Sequence, residues 1–255
     1  ANIQFGGSVL TVEGNSWSSF TESGISIFVN ADTASAFVTG NTINNTRNAI
    51  HLTQERGQTQ FENNQIDSCY GNFVTIFKAS DQCNNAILVS NNILTNSNMT
   101  EGADWKTVIR LHSAGDNCQT KNLHLRNNTV RDTKYDDASN TAIISVLGTS
   151  VEIKRNLVYE NAAYLLRTEN PPNTNISATE NYWSPLYGDA IRSQFYDMFK
   201  NSSIGRILFA PYLLDDSVDS DIGSICSSPQ FIGLECDPVV VASSSEYHPS
   251  HSPQT

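Results

Sequence analysis

The chain has 255 residues, of which only 16% are charged, and its net charge of −11 makes it acidic. Its few lysines and arginines argue against binding to nucleic-acid phosphates. The low fraction of charged residues argues against a coiled coil or helical bundle. No apolar run approaches the roughly 18 residues that a membrane span needs. Because no signal peptide precedes it, we expect a processed mature form or an excised part of a larger protein.

A short pattern recurs along most of the sequence. Around Asn128, apolar residues lie five and three positions before the asparagine (Leu123, Leu125) and another lies two positions after it (Val130). The frame fits seven asparagines, spaced by 26, 23, 28, 36, 28 and 25 residues. These anchors are Asn15, Asn41, Asn64, Asn92, Asn128, Asn156 and Asn181. A period in this range indicates a solenoid.

The frame predicts a strand that ends in a tight bend. Apolar residues at alternate positions are typical of a strand with one buried face. The residue before the anchor is Gly14, Gly40, Asn63, Asn91 and Asn127 in the first five copies, and these types enter left-handed φ/ψ at low cost. The anchor amides would then turn inward and hydrogen-bond along the stack. We predict an all-β, single-stranded, right-handed parallel β-helix of about seven coils with an internal asparagine ladder.

Each coil needs a second strand, and an apolar stretch follows most anchors. The predicted second strands are Ile25–Val29, Ala49–Leu52, Phe73–Phe77, Val108–Leu111, Ala142–Leu147 and Tyr164–Leu166. The first coil has no sequence that would cap it. We therefore expect Ala1–Gly7 to fold across that end or another segment to precede it, because a bare end invites self-association.

Two coils carry long loops after the bend, Thr95–Lys106 and Arg131–Asn140, which should project side by side from one flank. Insertions on one flank of a repeat protein are where binding usually resides. The candidate ligand-binding residues in this loop flank are Glu101, Asp104, Trp105, Lys134, Tyr135, Asp136 and Asp137. Their carboxylate oxygens are a candidate calcium site. The alternative is that these residues are polar tips of a mobile loop, and no other metal site or cofactor is expected.

Residues 1–213 are predicted to form one β-helical unit that includes a C-terminal cap. Asp189 is expected to be the N-cap of a helix over about residues 189–200, because Ile191, Phe195 and Met198 recur at helical spacing. A short strand within Gly205–Leu213 should complete the cap. Residues 214–242 are expected to form an extended, disulfide-pinned segment, and 243–255 a disordered Ser/Pro-rich tail or linker.

Cysteines and glycosylation sequons predict an extracellular location for the protein. Cys83 and Cys118 occupy nearly the same place on adjacent coils and are predicted to pair, as are Cys226 and Cys236 near the C-terminus. Cys69 is left over, either as a buried free thiol or as the partner of a cysteine elsewhere in a longer protein. The predicted N-glycosylation sites are Asn44, Asn98, Asn127, Asn175 and Asn201, none of which is a ladder asparagine.

The stacked coils resemble those of the pectin-lyase-like right-handed β-helix superfamily. The ending Asn181-Tyr182-Trp183, with Ile191-Arg192, Asp197 and Gly205–Leu213, resembles the closing segment of NosD-like periplasmic β-helices. It is more similar still to β-helix modules of large animal cell-surface proteins, including those of tricellular junctions, although Ser184 stands where such endings usually have glycine. The resemblance covers about residues 8–213 and implies a non-catalytic part of an adhesion ectodomain.

Catalysis on this fold would need particular outward residues. Lyases that the chain resembles use Arg or Lys beside a calcium-binding acidic cluster, and glycosidases use two carboxylates about 5–10 Å apart. The outward column two residues before each anchor places no two acids on adjacent coils. It reads Glu13, Thr39, Glu62, Ser90, Arg126, Lys154 and Thr179. The corresponding column of the second strands reads His51, Thr75, Arg110 and Ser145 and contains no carboxylate.

We therefore expect no catalytic residues. The predicted function is a non-catalytic structural and adhesion module of a secreted or membrane-anchored protein that contacts cell-surface proteins, including copies of itself, but not nucleic acid. The alternative is a carbohydrate-active or glycan-binding β-helix that uses the loop flank. A glycan site would place exposed aromatic rings beside acids, and Trp105 and Tyr135 are the two candidates there.

Overall fold

The computed structural model is a parallel β-helix. It describes residues 2–5, 9–18, 23–29, 34–54, 57–69, 74–78, 86–96, 98–99, 106–113, 122–135, 141–148, 150–159, 164–183, 186, 188–214, 216 and 222–223. Three sheets of parallel strands run along the molecule, and the chain crosses from one sheet to the next so that each coil stacks on the coil before it. The predicted fold class is confirmed.

The first sheet, called the ladder sheet, contains the strand that precedes each anchor asparagine. Its eight strands are Val9–Glu13, Ser35–Thr39, Gln58–Glu62, Ala86–Ser90, Leu123–Arg126, Val151–Lys154, Asn175–Ser177 and Arg206–Leu208. Inward and outward side chains alternate along them, as in Ser35–Thr39, where Ala36 and Val38 are buried and their neighbours are partly exposed. The two alternating apolar positions of the sequence pattern therefore form one wall of the core.

The second sheet, called the short-strand sheet, follows each anchor. Its seven strands are Ser16–Ser18, Thr42–Asn44, Gln65–Asp67, Ile93–Thr95, Thr129–Arg131, Leu157–Val158 and Tyr182–Trp183. Each places one apolar residue in the core, the residue two positions after the anchor, such as Ile43 or Val130. The sequence indicated that residue but not a separate strand, so the prediction of two strands per coil is corrected to three.

The third sheet contains all six predicted second strands, although Phe73, the predicted start of one of them, lies outside the described residues. Its eight strands are Asn2–Phe5, Ser23–Val29, Asn48–Gln54, Val74–Lys78, Lys106–Ser113, Thr141–Leu147, Tyr164–Thr168 and Phe195–Tyr196. The strand Asn2–Phe5 pairs in parallel with Ser23–Val29. The N-terminal residues therefore extend this sheet, and the expectation that Ala1–Gly7 folds across the end of the helix is wrong for 2–5.

The asparagine ladder is continuous over all seven anchors. From Asn41 to Asn181, the side-chain Nδ2 of each anchor donates to Oδ1 of the next at 2.9 Å. The first link, from Asn15 to Asn41, is 3.2 Å long. Asn15 is exposed at the end of the stack, whereas the other six anchors are buried. The ladder closes at Asn181, whose carbonyl accepts a hydrogen bond from the backbone N–H of Leu213.

Left-handed backbone conformations mark two corners of the coil. The residue before every anchor has φ between 53° and 64°, including Arg155 and Glu180 at 56°. A second set lies four residues after the anchors, at Asn45, Ser68, Asn96 and Asp132, with φ between 51° and 58°. This second corner turns the chain from the short-strand sheet toward the third sheet. The residues after Asn45, Ser68 and Asp132 are buried, and there the hydroxyl of Thr46 lies 3.1 Å from the thiol of Cys69.

The described parts of the two long loops lie side by side, as predicted. Asn98–Met99 in the first loop pairs in parallel with Lys134–Tyr135 in the second, which makes a separate two-stranded sheet. The strands of the third sheet that follow these loops are buried on both faces near their starts, at residues 107–109 and 141–146. The packed core therefore extends to the strand residues that directly follow the loop flank.

The C-terminal cap differs from its prediction. The helix covers only Asp189–Ser193, and Gly188, at φ 50°, occupies the N-cap position in place of Asp189. The chain then enters the strand Phe195–Tyr196, because Phe195 is needed in the core, where its ring packs 5.1 Å from that of Trp183. Met198, expected on the buried helical face, is 44% exposed. The predicted helix over residues 194–200 is wrong.

The cap is completed by residues that follow the last ladder strand. Tyr212–Leu213 pairs antiparallel with Ile222–Gly223, and the rings of Phe209 and Tyr212 lie 6.0 Å apart over the end of the core. Both rings are buried. Beyond Leu214 the structure describes only Asp216 and Ile222–Gly223, so most of the predicted extended segment over 214–242 and all of the tail over 243–255 lie outside the described residues.

Candidate binding face on the third sheet

Outward side chains of the third sheet form two columns along the molecule. The pairing register of the strands aligns one member from each coil in each column. The first column contains Ser26, His51, Thr75, Arg110, Ser145, Arg167 and Tyr196. The second contains Phe28, Thr53, Phe77, His112 and Leu147. Neighbouring members are about 4.8 Å apart, the spacing of strands in a sheet.

Charged and aromatic groups of these columns gather over the C-terminal coils. We call this surface the arginine face, and it comprises Arg110, His112, Ser145, Arg167, Glu169 and Tyr196. Arg110 is exposed, and no ion pair of the described residues involves it. Arg110 and Arg167 are separated by one strand, which carries the small Ser145, so their backbones lie about 10 Å apart.

Arg167 is held firmly against its neighbours. Its side chain is only 12% exposed, and its Nη1 lies 3.4 Å from Oε1 of Glu169. The same carboxylate oxygen accepts a hydrogen bond from the hydroxyl of Ser145 at 3.1 Å. The guanidinium carbon lies 5.8 Å from the ring centroid of Tyr196, within the range of a cation–π contact. Burial lowers the pKa of Arg167, and nearby Glu169 and Tyr196 oppose that shift.

His112 links the charged groups to an apolar part of the sheet. Its ring packs edge-on against Phe77, with centroids 4.7 Å apart. Burial lowers the pKa of His112, the positive charge of Arg110 lowers it further, and Glu169 raises it in part. The imidazole is therefore neutral at physiological pH. It offers a hydrogen-bonding ring rather than a further positive charge.

The arginine face can bind an anion beside an apolar group. Glu169 neutralises Arg167, which leaves the charge of Arg110 available to a ligand. A guanidinium binds carboxylates through two parallel hydrogen bonds, and the Phe77–His112 ring pair lies next to it along the same columns. Glu169 is the one carboxylate among the described residues of this face, so paired-carboxylate chemistry is not available there.

The outward side of the ladder sheet carries ion pairs instead. Nη2 of Arg126 lies 2.6 Å from Oε1 of Glu152, and Nζ of Lys154 lies 2.8 Å from Oε1 of Glu180. Burial raises the pKa of Glu180, but hydrogen bonds from Lys154 and Arg155 outweigh it and lower the pKa overall. The predicted outward column from Glu13 to Lys154 is confirmed by the strand register. These cross-coil pairs stabilise a solvated sheet face.

Most predicted residues of the loop flank lie outside the described part of the chain. Glu101, Asp104, Trp105, Asp136 and Asp137 belong to this group, and the candidate calcium site with them. Lys134 is exposed. Tyr135 is described by its backbone, in the two-stranded sheet with Asn98–Met99. Among the residues that the structure describes, no three His, Cys, Asp or Glu side chains gather as metal ligands.

The five sequons lie on described backbone, and none belongs to a strand of the third sheet. Asn127 occupies the left-handed bend before the ladder residue Asn128 and is exposed. Asn175, also exposed, begins a strand of the ladder sheet. Asn44 ends a strand of the short-strand sheet, Asn98 lies in the loop flank and Asn201 lies in the turns of the cap. Glycosylation of these sites stays a prediction.

Cys69 is a buried free thiol, which confirms one of the two interpretations of this cysteine. Burial raises the pKa of the thiol, and a hydrogen bond with Thr46 opposes that shift in part. A buried thiol of raised pKa is a poor nucleophile. Cys83, Cys118, Cys226 and Cys236 lie outside the described residues, so the two disulfides stay predictions.

Sequence reasoning missed the arginine face because it followed the outward column only as far as Ser145. Arg167 and Tyr196 continue that column into the last coils, where the strands are shorter. The available signal was the spacing from the anchors, since Arg167 follows Asn156 by 11 residues, the same interval by which Thr75 follows Asn64. Tyr196 gave no such signal because it was assigned to the helix.

No family model, no curated protein and no solved structure matches this chain. Among the described residues, no helix has the length and apolar character needed to cross a membrane.

Proposed function

We propose that this chain is a non-catalytic structural and adhesion module of a larger extracellular protein, either secreted or membrane-anchored. The arginine face carries the proposal. Arginine and aromatic side chains are enriched at the centres of protein interfaces, and here Arg110, Arg167 and Tyr196 lie together on an outward sheet face. The partners are other cell-surface proteins, and nucleic acid is not among them.

The scaffold supports this function because it holds the face rigidly. The ladder satisfies the buried amides of every coil, and strands on both sides of each interior strand fix its register. A surface that is ordered before binding loses little conformational entropy when a partner docks. Extracellular location is proposed from the exposed sequons at Asn127 and Asn175 and from the predicted disulfides.

Binding to intact cells tests the proposal. Chain produced in a secretory host and labelled with a fluorophore is incubated with cultured animal cells and measured by flow cytometry. Binding should be saturable, should disappear after brief protease treatment of the cells and should persist after enzymatic removal of surface glycans. Absence of saturable binding, or binding that only glycan removal abolishes, contradicts the proposal.

A carbohydrate-active or glycan-binding β-helix is the second candidate, favoured by the parallel pairing of the two long loops at Asn98–Met99 and Lys134–Tyr135. Trp105, Tyr135 and Asp136 would then contact the saccharide. Incubation with neutral and acidic polysaccharides, followed by assays for new reducing ends and for unsaturated products, tests it. Cleavage that a Trp105→Ala, Asp136→Ala variant loses would establish this candidate and overturn the adhesion proposal.

A further inference from the structure

We infer that the arginine face is the docking surface for an acidic segment of a partner protein, in which a carboxylate lies beside an apolar side chain. This inference rests on the proposed adhesion function and names the chemistry of its partner. It uses the outward residues of the third sheet, which the sequence patterns alone assigned to an ordinary solvated face.

The first argument is the location of the sequons. The five asparagines lie on the ladder sheet, the short-strand sheet, the bend between those two sheets, the loop flank or the cap, and none lies on a third-sheet strand. N-linked glycans are bulky and hydrated, and a protein cannot dock closely where they are attached. Glycans at the predicted positions would cover the other faces and leave the third sheet bare.

The second argument is charge. The chain has a net charge of −11, so on average it repels acidic molecules. Arg110 is exposed and takes part in no ion pair of the described residues, while Arg167 is already matched by Glu169. A guanidinium without an ion-pair partner attracts a carboxylate, whereas the rest of this acidic surface repels it. An acidic partner is therefore directed to Arg110.

The third argument is the apolar surface beside that charge. Arg110 and His112 lie two residues apart on one strand, so their side chains emerge about 7 Å apart on the same side of the sheet. The His112 ring, neutral because of burial and the neighbouring Arg110, packs against Phe77. A partner carboxylate on Arg110 therefore brings the adjacent side chain of the partner onto this ring pair.

The fourth argument is shape. The face is a parallel sheet two outward residues wide, and the ring of its Tyr196 packs against that of Tyr164 with centroids 5.3 Å apart. Such a surface accommodates an extended or flat segment of a protein. Its arginine and aromatic content is that of the centre of a protein interface rather than of its polar rim.

The test uses a fluorescein-labelled peptide of alternating glutamate and phenylalanine, titrated with the full chain at low ionic strength and followed by fluorescence anisotropy. The matched variants are Arg110→Glu, on the face, and Arg131→Glu, an exposed arginine of the short-strand sheet. Arg110→Glu should weaken binding at least about tenfold, and Arg131→Glu less than about twofold. Arg110→Lys should restore part of the affinity, since it keeps the charge but loses the bidentate geometry.

Several results would overturn the inference. These are no binding of the peptide, equal weakening by the Arg110 and Arg131 variants, or equal binding of a lysine–phenylalanine peptide. Binding of oligogalacturonate through Arg110 without binding of the peptide would assign the face to an acidic saccharide. The cell experiment separates the two proposals, because cell binding that Arg110→Glu leaves unchanged would retain the adhesion function and reject this face.

Discussion

Each buried ladder asparagine uses its side-chain amide completely. Oδ1 of Asn92 accepts hydrogen bonds from both the backbone N and Nδ2 of Asn64, at 2.9 Å each. Its own Nδ2 donates to the carbonyl of Phe61 at 3.0 Å and to Oδ1 of Asn128 at 2.9 Å. One residue therefore ties together three successive coils. No other side chain of this size has both an acceptor oxygen and two N–H donors, so no other residue can replace the asparagine and make all four hydrogen bonds.

Asn92→Ala should lower the free energy of unfolding by roughly 3 kcal/mol, because it leaves several buried donors and acceptors without partners. Asn15→Ala should cost under about 1 kcal/mol, since Asn15 is exposed and water can replace its bonds. Urea unfolding followed by far-UV circular dichroism measures both. Equal losses for the two variants would contradict a ladder whose strength comes from burial.

Asp67 organises the second corner of the coil and makes stability depend on pH. Its carboxylate accepts hydrogen bonds from Ser68, Thr95 and Asn96 at 2.6–2.7 Å. Burial raises the pKa of Asp67, but these three bonds outweigh it and lower the pKa below the ordinary value of 3.8. A carboxylate whose pKa is depressed by folding stabilises the protein above its unfolded pKa, and that contribution is lost as the pH falls through the folded pKa.

We therefore expect the melting temperature to fall in part through Asp67 as the pH drops below about 4. The variant Asp67→Asn keeps an oxygen acceptor that does not titrate. Its melting temperature should be lower than that of the unmodified protein near neutral pH, and it should depend less on pH in the acid range. The measurement is thermal unfolding between about pH 6 and pH 3 for both proteins. Parallel pH curves would show that Asp67 does not contribute.

The bends show which residue-scale features were readable from sequence. Gly14, Gly40 and three asparagines predicted a left-handed residue before the anchor, because few other residue types adopt that conformation at low free-energy cost. Arg155 and Glu180 adopt it without such a signal. In these two coils an ion pair accompanies the left-handed backbone, since Nε of Arg155 lies 3.0 Å from Oε2 of Glu180. This ion pair joins neighbouring coils, so it cannot be inferred before the stacking of the coils is known.

At the scale of elements, prediction succeeded for strands long enough to show alternation and failed for shorter ones. The six third-sheet strands of five to eight residues were all predicted, whereas Asn2–Phe5 and Phe195–Tyr196, of four and two residues, were not. Strands of two or three residues, such as Leu157–Val158, cannot show a period, and they form because neighbouring coils pair with them. The cap helix failed for a related reason, since Phe195 is drawn into the sheet beside Leu166.

Arg192 is the residue that joins the elements of the cap. Its guanidinium lies between the rings of Phe199 and Phe209, at 4.8 and 4.5 Å from their centroids, and pairs with the fully buried Asp197 at 3.0 Å. Asp197 also accepts hydrogen bonds from the backbone N–H groups of Phe199 and Ile207. The helix, the short strand and the last ladder strand therefore meet at one ion pair.

Arg192→Met should destabilise the protein by about 3–5 kcal/mol, because it leaves a buried carboxylate without its counter-ion. The double variant Arg192→Met, Asp197→Asn should recover part of that loss, since the unpaired charge is gone. Arg206→Met is the matched control, because the guanidinium carbon of Arg206 also lies over the Phe199 ring, 5.9 Å from its centroid, but Arg206 has no ion pair among the described residues. Urea unfolding and amide hydrogen exchange at Ile207 report the effect, and additive losses would contradict it.

At the scale of the whole molecule, the coils are equivalent units. Each strand of the three large sheets pairs only with the equivalent strands of the coils above and below it, so stability is a sum of coil terms and nearest-neighbour terms. The register is also conserved, since Thr59 aligns with Ile87 and Ile87 aligns with Leu123. Removal of one whole coil should therefore bring matching strands together.

Deletion of residues 65–92 tests this equivalence. It removes one interval between anchors, 28 residues, and joins Asn64 directly to Ile93. Gln58–Glu62 should then pair with Leu123–Arg126, and Asn64 should hydrogen-bond to Asn128, so the ladder stays continuous. We expect a folded protein whose urea m-value is lower by roughly one seventh, because that share of the surface buried on folding is gone.

Deletion of 65–78 alone is the control. It removes two strands of a coil but retains the third, which breaks the register, so it should leave the chain unfolded. If both deletions unfold the protein, the coils are not interchangeable, and the order of core residues along the axis must matter as much as the repeat itself.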